Sequence, residues 1–584
     1  MKRWMKKSSQ GLVMFFLLFH FTSCSDFLDK TPYTLTPETF FNNEAELSSF
    51  LTGTYSPIMQ EQFYGNFYPV YLAGGDDLTF FQRATPTNSI ICANANSSTN
   101  HILFLWRLLY AGINRANTLI ESVDRNPEIP KTIRDRSRAE ALVLRSFYYF
   151  HLIQGWGDVP LKLESTEKVT GLDAPRVDKQ IIYDTIIADI ANSIPYLYKS
   201  TELKYTGRLT QSAAKGILAR IYLFRAGEHF RDKTTPHPDR QFFFSEARRW
   251  ALEVKESGLH GLVTPYNRVF LDLCEDKYNS TGVLESIWEA EEAGNRTSAE
   301  NAAGRIGNTI GFGSSNDYSN SVEYNEQLGM RNPGYGYKFL YGSLKLYEMY
   351  ENEGDTARGN WNIANYEYVF SSSGDKPVTG RKYYFGKLPS KYKNIDGSVY
   401  VDDQGFTHVE ETQANSDRVK TRCAAKYRRE YELLSPKNKN YTPINFPILR
   451  YSDILLMIAE ADNELTAVPS DLAYECIDDV RTRAGITPLK DNPPLTKEQF
   501  RNAIKKERAM EFCFEALRRW DLIRWGDFYQ SMLGMQSYVN QDGWGAGFKY
   551  AIDYYKISEA YNYFPIPEGE MAVNKLITTN NPGW

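Results

Sequence analysis

The sequence predicts a mainly α protein: stacked helical hairpins carrying an irregular, loop-rich insertion with short strands. Three observations lead to it. Residues 138–161 read RAEALVLRSFYYFHLIQGWGDVPL, and within 139–153 only Glu140, Arg145, Ser146 and His151 interrupt the apolar side chains. A helix lying on a surface shows one apolar stripe at i, i+3, i+4 and i+7, so a helix apolar most of the way round needs neighbours on several sides. Second, 210–226 echoes this segment. Aligning Arg145 with Arg220 sets Ala139 on Ala214, Leu142 on Ile217, Val143 on Leu218 and Phe147 on Tyr222. Small residues where helices approach, with large ones between, suit tetratricopeptide-like packing, here without a strict repeat length. Third, helical texture gives way between 260 and 445 to Gly, Asn, Ser and Tyr clusters, a stretch too long to be a simple connection.

The elements follow in order. Lys2, Arg3, Lys6 and Lys7 precede an apolar run at 11–21, then Thr22, Ser23 and Cys24. A basic start, a short apolar core and small residues describe an export signal over 1–23, too short to span a bilayer. Thr36, Pro37 and Glu38 open a helix expected to reach about residue 52. Residues 57–100 are loop-like, followed by helices at 101–123, 139–153, 179–197, 210–226 and 245–257. Gly155, Gly157 and Pro160 end the central one. Within the irregular stretch, 286–289 reads as a strand and 339–352 as a helix. Helices return at 448–465 and 471–484, the latter closed by Gly485. Thr496 and Gln499 form a capping-box pattern ahead of a long helix to residue 525. The division expected is 1–23 signal peptide, 24–259 helical scaffold with a ligand loop at about 57–100, 260–445 irregular domain, and 446–584 completing the scaffold.

Composition narrows the function. Once 1–23 is removed, 63 basic side chains face 72 acidic ones, a net charge of −9. That argues against nucleic acid as the main partner, since phosphate binding wants a basic stripe. Six cysteines without a CxxC pair give no metal site, and Cys476 and Cys513 read as core. No HExxH, GxSxG or GxxxxGK[ST] occurs. Glu289, Glu291 and Glu292 could supply a glycosidase pair only if tertiary structure set them apart correctly. No catalytic residue, metal or cofactor is therefore expected. Arg508, Glu511, Arg518, Arg519 and Asp521 are expected to tie helices together by ion pairs, and Trp106, Trp520 and Trp525 to be core.

Eight segments, in this order, resemble the SusD/RagB family of Bacteroidetes outer-membrane lipoproteins: CSDFLDKTP, INRAN, RAEALVLRSFYYFHLIQGWGDVPL, RLTQSAAKGILARIYLF, ILRYSDILLMIAEADNEL, VRTRAG, ERAMEFCFEALRRWDLIRWG, and PIP with NNPGW. The resemblance covers nearly the whole mature chain. It implies four tetratricopeptide-like units with an irregular domain, lipidation at Cys24, and a place on the outer face of the outer membrane. Phe21 departs from the leucine usual three residues before the cysteine. The implied partners are a SusC-like TonB-dependent transporter, which the protein would cap as a lid, and an oligo- or polysaccharide. A peptide or glycoprotein ligand on the same scaffold is the alternative.

Glycan binding needs aromatic faces for the apolar side of a sugar ring, and polar groups for its hydroxyls. Two loop regions mix both: 63–83 and 295–341, the latter with Arg296, Asn316, Tyr318, Tyr324, Tyr335 and Tyr337. Residues 84–100 hold no aromatic, although several family members stack ligand there. The expected site is Asp77, Arg83, Tyr318 and Tyr335, with Asp76 and Asn316 beside them. Asp and Arg would bond hydroxyl pairs, and the tyrosines would stack.

Overall fold

The computed structural model describes residues 40–584 apart from 167–171, 279, 295–303, 312, 315–323, 326–329, 332, 372–378, 403–404, 411–418, 435–436 and 542–545. Its first half is helical: α1 (Glu44–Met59), α2 (Asn100–Ser122), α3 (Lys131–Trp156), α4 (Lys179–Ser193), α5 (Gln211–Asp232) and α6 (Arg240–Glu256). As its composition requires, α3 is buried from Ser137 to Trp156 except at Arg138 and Leu142, with α1, α2, α4 and α5 packed around it. The aligned arginines do equivalent work. Arg145 Nη2 lies 2.6 Å from Asp189 of α4, and Arg220 Nη2 lies 2.7 Å from Asp453. Each locks its helix to the next layer.

The start and end of α1 differ from expectation. It begins at Glu44, where Asn43 Oδ1 accepts the Glu46 N–H at 3.0 Å; Thr36 and Pro37 lie outside the described residues. It also runs past residue 52 to Met59, through Pro57. A proline inside a helix leaves the carbonyl four residues earlier without its donor. Here Arg115 of α2 supplies one, Nη1 to Gly53 O at 2.9 Å.

The irregular part holds α7 (Arg268–Glu275) and α8 (Leu344–Glu353). Short strands pair across long separations: β1 (Thr79–Phe81), β2 (Ser286–Ala290), β3 (Leu340–Gly342), β4 (Tyr366–Ser371), β5 (Thr379–Tyr384), β6 (Thr407–Glu410) and β7 (Phe446–Arg450). β2 pairs antiparallel with β7, and β4-β5-β6 form a three-stranded sheet. β1 pairs antiparallel with β3, Thr79 opposite Gly342 and Phe81 opposite Leu340. That pairing takes the first residues of the helix expected from 339, which starts instead at Leu344 under a Ser343 cap. Likewise 448–450 belong to β7 rather than to the following helix.

The chain then forms α9 (Tyr451–Leu465), α10 (Asp471–Ala484), α11 (Lys497–Phe512), α12 (Arg518–Trp525) and α13 (Phe528–Val539). The capping box at Thr496 and Gln499 is present, but the helix it opens breaks after Phe512. Phe514 and Ala516 adopt φ of 64° and 60°, which right-handed helix excludes. The turn swings α12 back so that Arg508 Nε meets Asp521 at 2.8 Å while its Nη1 holds Asp453 at 2.6 Å. Glu511 receives Arg450, Arg483 and Arg358. These charges are internal cross-links, as the sequence suggested. Trp106 and Trp520 are core, and the five cysteines among the described residues are buried and unpaired.

Candidate aromatic binding surface

Pairing of β1 with β3 carries Gln82 and Arg83 alongside residues 335–339. The Gln82 N–H donates to Phe339 O at 2.9 Å, and its side-chain Nε2 to Tyr337 O at 3.1 Å. On the other side, a single helical turn, Ile306–Thr309, accepts the Tyr337 N–H at Asn308 O (2.7 Å) and the Phe339 N–H at Thr309 O (3.0 Å). Asn308 Nδ2 also donates to Tyr335 O at 3.2 Å. The backbone of 335–339 is thus clamped between two elements remote in sequence.

Three rings form a row on it. Phe339 stacks on Tyr337 with centroids 5.2 Å apart, and Tyr337 meets Tyr335 edge-on at 4.7 Å. Cations sit over both ends: Arg83 Cζ is 5.1 Å from the Phe339 centroid, and Lys439 Nζ is 5.1 Å from that of Tyr335. Tyr335 and Tyr337 are half-buried and Arg83 is exposed. The Tyr337 hydroxyl donates to Asn440 Oδ1 at 3.2 Å, fixing the middle ring. The row continues through Phe81, 5.4 Å from Phe339, to Tyr71 and then His101, which stacks on Tyr71 at 4.3 Å. Burial lowers the His101 pKa to about 4, so its ring is neutral at neutral pH. Phe339 and Phe81 are themselves buried; the half-buried Tyr335 and Tyr337 rings, bordered by guanidinium, ammonium and amide groups, are those that can meet the C–H face of a sugar while the border bonds its hydroxyls.

Two of the residues expected in the site are elsewhere. Asp77 is fully buried, its carboxylate held by Arg518 (2.8 and 3.0 Å) and Lys345 (2.6 Å). Burial alone would raise its pKa, but the Arg518 and Lys345 charges prevail and hold it far below the usual carboxylate range. Asp76 is also interior, accepting from the Leu78 N–H at 2.9 Å and Thr79 Oγ1 at 3.1 Å. Both carboxylates fasten the ligand loop to the scaffold and present no face to a ligand. Nor does Asp77 pair with Arg83, the neighbour that local sequence offers it. Arg83 and Tyr335 do come together, at opposite ends of one row. Asn316, Tyr318 and Cys24 lie outside the described residues. Of the loop aromatics, Phe63, Tyr64 and Tyr68 are core, packed against His151. Lys439, Asn440 and His101 were not expected; no local pattern marks them, since only tertiary pairing sets them beside the rings.

A cavity of about 900 Å³ lies between the N-terminus of α4, the C-terminus of α5 and residues 559–583. Its charges satisfy one another: Lys179 with Glu228 and Asp232, Lys233 with Glu559. Its main aromatic face, that of Tyr563, is covered by Arg231 at 3.6 Å. Volume alone does not make it the better site for stacking.

The family model described as the SusD family matches residues 285–584, and one described as "starch-binding associating with outer membrane" matches 26–223. The chain belongs to the SusD/RagB family. SusD-like protein P2 of Formosa agariphila is 24% identical over 581 residues, covering 97% of this chain and 98% of the relative. A SusD homologue from Bacteroides thetaiotaomicron superposes with a TM-score of 0.73 at 23% identity, over 94% of this chain and 98% of the other. A laminarin-binding SusD-like protein superposes at 0.63 with 20% identity, over 93% and 100%. A structure with a xylogluco-oligosaccharide matches at 0.63 with 20% identity, over 90% and 98%. The mainly helical scaffold with its irregular part is therefore the SusD fold.

Proposed function

We propose that this SusD-family chain is a lipid-anchored, cell-surface glycan-binding protein that captures oligo- or polysaccharide and acts as the lid of a SusC-like TonB-dependent transporter. The observation that carries this reading is the clamped row of Phe339, Tyr337 and Tyr335 with Arg83 and Asn440 on its border. Its rigidity suits a surface that must order a flexible sugar chain without ordering itself. The family's description as starch-binding and outer-membrane-associated supports it, as do relatives named for laminarin binding or holding a xylogluco-oligosaccharide. Calorimetry on a panel of oligosaccharides, with Tyr335→Ala, Tyr337→Ala and the double variant, tests it. Each ring is expected to contribute about 1 kcal/mol, roughly a fivefold loss of affinity per substitution. If the double variant binds like the wild type, the surface lies elsewhere. If peptides bind and no glycan does, the ligand class is wrong.

A further inference from the structure

At one end of the aromatic row stands a charge that a neutral sugar does not require. Arg83 is fixed through its backbone: the residue before it is bonded to Phe339 and Tyr337, and the Tyr554 hydroxyl donates to its carbonyl. Its guanidinium is exposed over Phe339 and makes no ion pair or hydrogen bond among the described residues. Among the described residues, acids of the surrounding elements already hold other cations. Glu61 is held by Arg305 at 2.6 Å, Glu367 by Lys338 at 2.7 Å and Glu432 by Arg429 at 2.8 Å. Asp77 is turned inward to Arg518.

A guanidinium is a planar fork of donors with no acceptor. A sugar hydroxyl that accepts from it still carries a proton needing an acceptor, which the guanidinium cannot supply. A carboxylate or sulfate ester only accepts, so its lone pairs match the fork and leave nothing unpaired. From this arrangement we infer that the site takes an acidic glycan, one bearing uronate carboxylates or sulfate esters, with the anionic group on Arg83 and adjoining sugar faces on Tyr337 and Tyr335.

The inference rests on the glycan-binding reading, and the two fail separately in one experiment. Calorimetry at low and high salt would compare three matched pairs: a uronic-acid oligosaccharide and its carboxyl-reduced form, a sulfated oligosaccharide and its desulfated form, and two neutral glycans of equal length. At least one acidic member should bind roughly tenfold more tightly than its neutral counterpart, the scale of one charge-assisted hydrogen bond. The preference should shrink with salt and vanish in Arg83→Gln, with partial recovery in Arg83→Lys, and the first pair against the second identifies which anion is read. An exposed arginine is not needed for folding, so Arg83→Gln should melt as the wild type does. Equal affinity within every pair, unchanged in Arg83→Gln but lost in the Tyr335/Tyr337 double variant, overturns the acidic ligand while leaving glycan binding intact. No response to the tyrosine substitutions by any glycan overturns the site itself.

Discussion

Asp76 and Asp77 show how adjacent residues of one chemistry take opposite electrostatic roles. Asp77 has two cations within 3 Å; Asp76 has only neutral donors and, beside it, the charge of Asp77. Burial first, and that neighbour second, push the Asp76 carboxyl up to about 7. Unfolded, it titrates near 3.9, so between about pH 4 and about pH 7 the folded chain holds an extra proton and stability falls as pH rises. Asp76→Asn keeps an oxygen for Leu78 and Thr79 but cannot ionise. Its melting temperature should therefore drop less than that of wild type between about pH 5 and about pH 8; parallel curves would refute the assignment. Asp77→Asn has the reverse character. It strands Arg518 beneath the loop and should cost about 3–5 kcal/mol, seen as a lowered denaturation midpoint. The depressed Asp77 pKa gives stability that is present above the ordinary carboxylate value and is lost only in strong acid.

Between helices, glycine marks where backbones meet. Gly227 on α5 faces α12 so closely that an added Cβ would lie 2.1 Å from the Arg524 carbonyl oxygen, a backbone atom that cannot swing aside. Gly534 in α13 has nothing within 4 Å. The same substitution should thus act in opposite directions. Gly227→Ala is expected to destabilise by about 1–3 kcal/mol through overpacking, whereas Gly534→Ala should gain up to about 1 kcal/mol from helix propensity. Denaturant titration of both reads the sign directly, and destabilisation by Gly534→Ala would contradict the open space around it. The other decisive element is the β1–β3 pair, three residues long, which with the Gln82 hydrogen bonds that extend it brings Arg83 to Phe339. Its hydrogen bonds join positions more than 250 residues apart, so neither strand has a local partner for a periodicity argument to find.

As a whole, the molecule has its proposed ligand row on residues 335–339 and a separate cleft of about 900 Å³ lined by α4, α5 and residues 559–583. A lid must bind its glycan more tightly when closed than when open, or closure stores nothing that opening can release. Co-purification in mild detergent with a co-expressed SusC-like transporter from the same organism tests the partnership; recovery of the chain alone, with that transporter expressed, would count against the lid. Cys24→Ser should move the protein from membranes to the soluble fraction in cells lacking the transporter, since several acyl chains anchor where one does not. Retention there would count against lipidation.

Helix periodicity, caps and the all-round apolar character of 138–161 determined the scaffold, because each depends on residues within a few turns of one another. The motifs in order determined the family, and the charged cluster on α11 and α12 was readable as cross-linking because its acids and bases alternate along helices. The sequence also pointed to Arg83 and Tyr335 as site residues, and named Tyr337 only as part of the surrounding loop. It could not separate Asp77 from Arg83, both polar and both in one loop, since burial is decided by what packs over each. Only the tertiary structure turned one aspartate toward Arg518, more than 400 residues away, and left the arginine facing outward. The break at Phe514 and Ala516 was likewise invisible locally, because the ion pairs that stabilise it exist only once α12 has folded back.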